Sequence, residues 1–543
     1  MTPKPSDSRN GTPPRRWDEC AEMSMGPAIE LDSDEHRPLR DRLTAWVREG
    51  RARLDEEGRV VLTRGPSMPP LEKLRGAYRW ILDHAIVTNI LDMNAGLPEL
   101  VSAGPHKSAV SLGAGFSSFV LMPLLTLATN QRLLILGGPG RGKTSIAMLV
   151  GMLAGPSLEE VRRAVQRGHP QLAVPDLLGS PLPAQLIRAE DASGIKVVWR
   201  KWITMRVKIV DEYNRIPTKT QSALLSLLAE GYAEQFEQTV SAGPSCWFLT
   251  ANDDQGGGTY PVIEALKDRI DAVARAAAYD SRGLEILLDR VASGESADFV
   301  PEDLTFKPGE LDALAESVRA VAVPSSILDF LSFFGAQLEF CRLASDRLET
   351  MTKDTLHLAG RKVGDVCTED CPLDKRRHAC SQTESGISAR SIQALLLYAK
   401  AFAAFLGQRE VTMAHILSVA PWVLHEKLVP NESSPYFETP RTQKQLVDRL
   451  AWIRELFDLC ADQYARHKKL GDWVQSKSAD VDQLSRMSKA ELEETLSDLK
   501  KAIQRLLSSE ELGAAVRDDV LRLRATHARS QERLVRLSER RSR

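Results

Sequence analysis

The sequence is short of several things at once. Seven cysteines in 543 residues are too few for a disulfide framework. The opening residues, MTPKPSDSRNGTPPRRWDE, are polar and Pro-rich and lack the apolar stretch of a secretion signal, so the expectation is reduced thiols and a cytoplasmic location. Long apolar runs are also missing. The most apolar, Phe116 to Ala128 (FSSFVLMPLLTLA), has 13 residues, against the roughly 20 that a membrane span needs. It reads as a buried helix, and no span is expected. Nor is there a charge imbalance: 71 Lys and Arg stand against 73 Asp and Glu. No global field draws the chain to nucleic acid or an anionic membrane, and nucleic acid is not the expected partner. With 43% hydrophobic, 27% charged and 6% aromatic residues, the rest is ordinary for a soluble globular protein.

A chain of this length exceeds one core, and roughly three domains are expected. Residues 1–36, broken by Pro and Gly, read as a disordered N-terminal segment. Residues 37–110 read as a helical module, with Leu71, Leu74, Tyr78, Ile81 and Leu82 on one helical face, and 105–115 (PHKSAVSLGAG) as a linker of small residues. Over 111–300 the pattern alternates. "RLLILGG", "RVKIVDE" and "CWFLTAND" are short apolar runs of the kind found in buried parallel strands, with helical stretches at 144–153 and 218–230 between them. From 301 to 430 helices dominate (325–344, 388–407, 412–427), interrupted by a Cys-bearing polar insertion at 350–385.

Residues 441–543 are helical again. Leu446, Leu450, Ile453 and Phe457 are spaced by 4, 3 and 4, and Leu492, Leu496, Leu499, Ile503 and Leu506 by 4, 3, 4 and 3. Such a seam suits an antiparallel hairpin or a partner helix, or an amphipathic helix lying on its own domain. The last 32 residues carry nine arginines against four acids, a basic tail that is either solvated or turned to an acidic partner or nucleic acid.

The most informative stretch is "LLILGGPGRGKTSIAML". Its GGPGRGKT fits the phosphate-loop pattern G-x-x-x-x-G-K-[ST], with Gly137, Gly142, Lys143 and Thr144 at the fixed positions. Glycines let the loop fold until its N–H groups converge on phosphate oxygens, and the following helix points its positive end at them. The candidate ATP cradle is therefore Gly137, Gly138, Pro139, Gly140, Arg141, Gly142, Lys143, Thr144 and Ser145. Lys143 would reach the β- and γ-phosphates, and the Thr144 hydroxyl would hold Mg²⁺. Sixty-eight residues beyond Lys143, "VKIVDE" ends a strand in two acids. Asp211 is placed to hold Mg²⁺ through water and Glu212 to orient and polarise the attacking water. Asn252, at the tip of "CWFLTAND", is a candidate for positioning that water.

These motifs carry a family resemblance. "VDEYNRIPTKTQSALLSLLAEG" followed by "TANDDQGGGTYPVIEALKDRI" resembles the MoxR branch of the AAA+ ATPases, and the likeness extends over about residues 110–430. The fold it implies is an α/β P-loop NTPase: an AAA+ core with a parallel sheet flanked by helices (111–300), an all-α lid (301–430), and additional helical N- and C-terminal regions. It further implies that Arg269 is an arginine finger reaching the neighbouring subunit's ATP, and that Arg390 is the lid arginine touching its own subunit's γ-phosphate. Either residue could instead form a surface salt bridge. A finger acting in trans implies a homo-oligomeric ring, a hexamer by resemblance. The function implied is Mg²⁺-dependent ATP hydrolysis driving the remodelling or maturation of a client protein, with a separately encoded von Willebrand factor A domain partner. A magnesium-chelatase-like motor subunit and a nucleic-acid-linked translocase or repair ATPase are the alternatives, and a non-catalytic scaffold is a third. The chain departs from the family pattern at Tyr213 and Asp253, and "PDLLGS" (175–180) stands where the family carries an insert facing pore or partner.

The insertion "CTEDCPLDKRRHAC" sets Cys367, Cys371, His378 and Cys380 within 14 residues. Three thiolates and an imidazole could close a tetrahedral zinc site; an iron–sulfur cluster, or an exposed loop of reduced thiols, are the other readings.

Overall fold

The computed structural model describes residues 52–54, 60–62, 68–85, 87–88, 90–96, 99–103, 108–182, 195–252, 264–293, 300–340, 350–367, 371, 374–478, 481–508 and 513–542. The chain divides into two units, residues 1–69 and 70–543. In the first, β1 (Ala52–Leu54) pairs antiparallel with β2 (Val60–Leu62). The disorder expected over 1–36 lies outside the described residues.

The second unit opens with α1 (Pro70–His84), which buries Leu74, Tyr78 and Ile81 as its spacing predicts. The purely helical reading of 37–110 needs correction beyond that helix. β3 (Glu99–Ala103) and β4 (Ser108–Leu112) form an antiparallel hairpin across the segment expected to be a linker. Ser and Ala have no strong strand preference, so cross-strand pairing rather than propensity settles this stretch. The apolar run becomes α2 (Ser118–Thr129), with every one of its residues buried. That is the buried helix expected.

The main sheet joins β5 (Arg132–Leu136), β6 (Gln166–Arg167), β9 (Val207–Asp211), β10 (Cys246–Ala251) and β11 (Ala272–Arg275), all parallel, in the order β11-β5-β10-β9-β6. Between β5 and β9 the chain forms α3 (Lys143–Leu153), α4 (Val174–Leu178) and the antiparallel pair β7 (Gly179–Pro181) and β8 (Val197–Trp199), so PDLLGS builds α4 and starts β7. α5 (Thr218–Glu230) and α6 (Glu264–Arg269) flank β10 in sequence. Successive strand residues point to opposite faces. Leu133, Ile135, Ile209 and Phe248 thus join one core with α2 and α3, while Leu134, Val210, Trp247 and Leu249 join a second with α5. Cover on both faces is why these strands read as unbroken apolar runs.

Helices follow: α7 (Glu310–Arg319), α8 (Ser325–Gln337), α9 (Ala389–Phe405) and α10 (Met413–Leu424). Tyr398 on α9 reaches across to Thr126 on α2, hydroxyl to hydroxyl at 2.8 Å, inside the core shared with the sheet. The C-terminal region continues that core. α11 (Arg449–Lys477) buries Trp452, Ile453, Leu456 and Phe457 in it, with Phe457 stacked on Phe334 at 4.1 Å between ring centroids. The far half of α11 meets α12 (Lys489–Leu507) and α13 (Ala514–Ser542) in a separate cluster of Val474, Leu499, Leu506, Val516, Val520 and Leu523. The leucine seam therefore belongs to an intrachain hairpin. Arginines of the basic tail bind within the chain: Arg517 donates to Met351 O at 2.9 Å and Arg533 to Ser485 O at 2.9 Å. Among the described residues no helix is long and apolar enough to cross a membrane.

One buried charge stands inside the sheet. Lys208, on β9, has no exposed surface; its ammonium donates to Met205 O at 2.6 Å and Ala242 O at 3.2 Å, and burial lowers its pKa to about 8. Between that value and the ordinary 10.5 the unfolded chain holds more protons than the folded one, so this group makes stability rise with pH. Urea unfolding of Lys208→Met should lack that rise, narrowing the stability gap to wild type below pH 8 by on the order of 3 kcal/mol relative to pH 10.5. A wild-type-like pH slope in the variant would show that Lys208 does not titrate in this window.

Candidate nucleotide-binding site

The site lies at the carboxyl ends of the parallel strands, where an open α/β sheet forms its crevice. Gly137 leaves β5 with φ 149°, and a Cβ there would stand 2.5 Å from Ala276 O just beyond β11. No side chain fits, so the loop starts tight against its neighbour. Gly142, also left-handed at φ 72°, is the N-cap of α3 and brings no side-chain hydrogen bond to that helix end. The first amides of α3 thus face the loop without a capping side chain, as an anion site requires.

Lys143 is buried. Its ammonium donates to Gly137 O at 2.6 Å, Gly138 O at 2.8 Å and Asn252 Oδ1 at 2.6 Å. Asn252 turns its amide nitrogen to Glu212 Oε1 at 3.0 Å. One amide therefore joins the cation of the phosphate loop to the carboxylate of Glu212, just past β9. Beside it the Thr144 hydroxyl donates to Asp211 Oδ1 at 2.7 Å. The sheet register enforces this: Val210 pairs with Leu249 and Thr250 with Ile135, which aligns the ends of β9, β10 and β5.

Two contributors were not singled out from sequence. The Thr250 hydroxyl donates to Asp211 Oδ1 at 2.5 Å and accepts from the Glu212 N–H at 3.0 Å, fixing both acids. A polar residue inside the apolar run of "CWFLTAND" was the available signal. Gly168 gives its N–H to Asp211 O at 2.7 Å, and a Cβ there would meet Glu212 O at 2.1 Å. Glu212 itself is left-handed (φ 51°), a conformation costly for a side-chain-bearing residue and frequent at functional sites. Arg215 stands 3.4 Å from its second carboxylate oxygen, and Tyr213, one of the departures from the family pattern, is buried beneath.

These residues fit ATP with Mg²⁺ on their own chemistry. A buried ammonium whose partners here are oxygens can take a phosphate oxygen, and a hydroxyl and carboxylate already in contact form the donor set of a hard cation.

Family sequence models match two parts of the chain. The sequence model of the ATPase family associated with various cellular activities (AAA) matches residues 132–271, and that of the AAA lid domain matches residues 375–450. The core is of the AAA+ type. The chain is also similar to the uncharacterized protein YeaC of Bacillus subtilis, 28% identical over 174 residues, which are 32% of this chain and 50% of that protein. The chain thus spans about half the length of this curated relative. A crystal structure of a candidate ATPase from Cytophaga hutchinsonii aligns with 71% of this chain and 96% of its own, at 17% identity and a TM-score of 0.46.

Arg269 and Arg390 stand elsewhere on the AAA+ core and its helical companion. Arg269 ends α6, two residues before Asp271, whose N–H donates to Arg132 O at 2.8 Å and whose carboxylate accepts from the Arg132 N–H at 2.9 Å. That is the start of β5, the end away from the phosphate loop. Arg390 Nη1 donates to Asp268 Oδ2 at 2.6 Å, at the same edge. Asp253 and the GTYP run that follows it lie outside the described residues.

The cysteine insertion does not assemble as a metal centre. Among the described residues no group of three or more His, Cys, Asp or Glu side chains could hold a metal ion, so the zinc and iron–sulfur readings of Cys367, Cys371, His378 and Cys380 are not supported. The loop closes around other contacts. Cys367 packs with Phe340, Leu356 and Val363 in a small apolar cluster. Lys353, buried next to Cys380, Cys367, Glu339 and Glu384, donates to Thr383 O and Oγ1 at 2.6 Å each, and burial lowers its pKa to about 8. The Lys353 ammonium is thus spent on Thr383, with Cys380 and Cys367 in its electrostatic surroundings.

Thr250→Val removes the hydroxyl at nearly constant shape and leaves the Glu212 N–H without that acceptor. Urea unfolding should show a loss of about 1–3 kcal/mol. An unchanged midpoint would mean that water replaces the hydroxyl at no cost.

Proposed function

We propose that the chain is a MoxR-type AAA+ ATPase. It hydrolyses ATP in a homo-oligomeric ring, a hexamer by resemblance, and uses the cycle to remodel or mature a client protein with a von Willebrand factor A domain partner. The observation that carries the catalytic part is the bridge from Lys143 through Asn252 to Glu212, with Thr144 and Asp211 in contact beside it.

Each residue then has a task. Lys143 exchanges a loop carbonyl for a phosphate oxygen and holds the nucleotide. Thr144 and Asp211 hold Mg²⁺, which when bound neutralises charge on the phosphates. Glu212, oriented by Asn252 and the Thr250 hydroxyl, accepts a hydrogen bond from the attacking water and polarises it. Asn252 links the two halves of the site, so a shift of Lys143 toward a phosphate is felt at Glu212.

What supports a role for Arg269 in another subunit is its distance from its own phosphate loop: the full length of β5, roughly 16 Å of strand, separates the two ends. A cation on that edge is placed to serve a nucleotide held by a neighbour. The own-subunit role implied for Arg390 sits less well with its pairing to Asp268 than a place beside Arg269 does.

Phosphate release from ATP and Mg²⁺, measured over a wide range of protein concentration, tests this. The rate per chain should rise with concentration and fall by about 10³-fold or more in Arg269→Ala. Glu212→Gln should keep nucleotide binding and lose turnover. A rate per chain that is independent of concentration and of Arg269 would overturn the ring reading.

A further inference from the structure

The end of α6 is tied to the helical lid by polar contacts that converge on one residue, Asp268. Its Oδ2 accepts from Arg390 Nη1 at 2.6 Å, and its Oδ1 accepts from the hydroxyl of Ser388, the N-cap of α9, at 3.1 Å. From the other side Lys427, beyond α10, donates to Lys267 O at 3.0 Å and to Asp268 O. Cations on the last carbonyls of a helix complement its negative end. All these groups come from the lid, and all meet the turn that carries Arg269.

The energetics argue against a purely structural purpose. The Arg390 and Asp268 side chains are 46% and 38% exposed, and an ion pair so open to water adds little stability. What the pair does is hold a long, flexible arginine in one place. Without it, Arg390 would sample many rotamers around the start of α9. With it, the lid arginine is held on the residue adjacent to Arg269, so that two cations from two domains share one edge of the core.

We infer that Asp268 is a positioning residue that holds the lid arginine Arg390 beside Arg269, so that the two act together on the triphosphate bound by the neighbouring subunit. This rests on the reading of Arg269 as acting in trans. Asp268 does not touch the nucleotide. It acts as an internal stand-in for phosphate: it keeps the Arg390 guanidinium on a carboxylate until the neighbour's more highly charged phosphates compete for it. Because the contact joins lid to core, the exchange also transmits the neighbour's nucleotide state to the angle between these two parts.

The test is complementation between inactive chains. A Lys143→Ala chain binds no ATP but keeps an intact Asp268 edge; an Asp268→Asn chain binds ATP but presents a disordered edge. Alone, Asp268→Asn should turn over about 10–100-fold more slowly than wild type, with KM for ATP and melting temperature unchanged, and Asp268→Glu should recover most of the rate. In an Arg390→Ala background, Asp268→Asn should cause no further loss, since the two act as a unit. Mixing Lys143→Ala with Asp268→Asn chains should restore activity, because some interfaces then pair an ATP-binding site with an intact edge. Three results would overturn the proposal: full activity in Asp268→Asn, a rise in KM without loss of kcat, or no recovery on mixing while Lys143→Ala and Arg269→Ala chains do complement each other. If that last control pair also fails to complement, the trans reading of Arg269 itself is wrong.

Discussion

The structure around the site depends on keeping the Lys143 ammonium out of water without leaving it unpartnered. A buried cation needs oxygens on several sides, and here they come from two places that only the folded sheet brings together: the carbonyls of Gly137 and Gly138, and the amide of Asn252 at the tip of β10. The register of β10 against β5 meets that requirement by bringing the two strand tips level. Once the two strand tips are level, Asp211 and Glu212 at the end of the adjacent β9 are carried into reach of Thr144, Thr250 and Asn252. The left-handed backbone of Glu212 and the bare Cα of Gly168 follow from the same crowding.

The parallel sheet has a second consequence. All its strands point one way, so the phosphate loop and the residues that precede the strands are held at opposite ends. Arg132, Asp271 and the end of α6 belong to the far end. The candidate nucleotide loop thus stands at one end of the sheet, and Arg132, Asp268 and Arg269 at the other. The lid is not loosely attached to this sheet. α2 lies between them, all its residues buried, with Thr126 bonded to Tyr398, and the first half of α11 extends the same core.

The insertion with the cysteines illustrates how a compositional signal is overridden. Thiols and an imidazole at short spacing suggest a metal, yet the loop closes on its own apolar cluster and on the ammonium of Lys353. That lysine lies 14 residues before Cys367 in the sequence, at a position nothing in the Cys/His spacing marks.

Much of this protein was determined by local sequence. The phosphate loop, the acid pair closing an apolar strand, and the helices α2, α3, α5, α9 and α10 follow from patterns a few residues long, because glycine conformations, strand alternation and helical periodicity are local properties. The two leucine-rich seams were legible as amphipathic helices. Their partners were not, because an apolar stripe specifies burial but not what covers it: one seam joins the lid core, and the other closes on α13. The β3–β4 hairpin, the Thr250 hydroxyl under both acids, the buried Lys353 on Thr383 and Asp268 between lid and core were decided only by tertiary structure. The hairpin depends on cross-strand pairing, and the other three on contacts between residues 30 or more apart in the chain. The chemistry of a site is written in its residue types, but which groups share a charge depends on distances that only the packed sheet and lid impose.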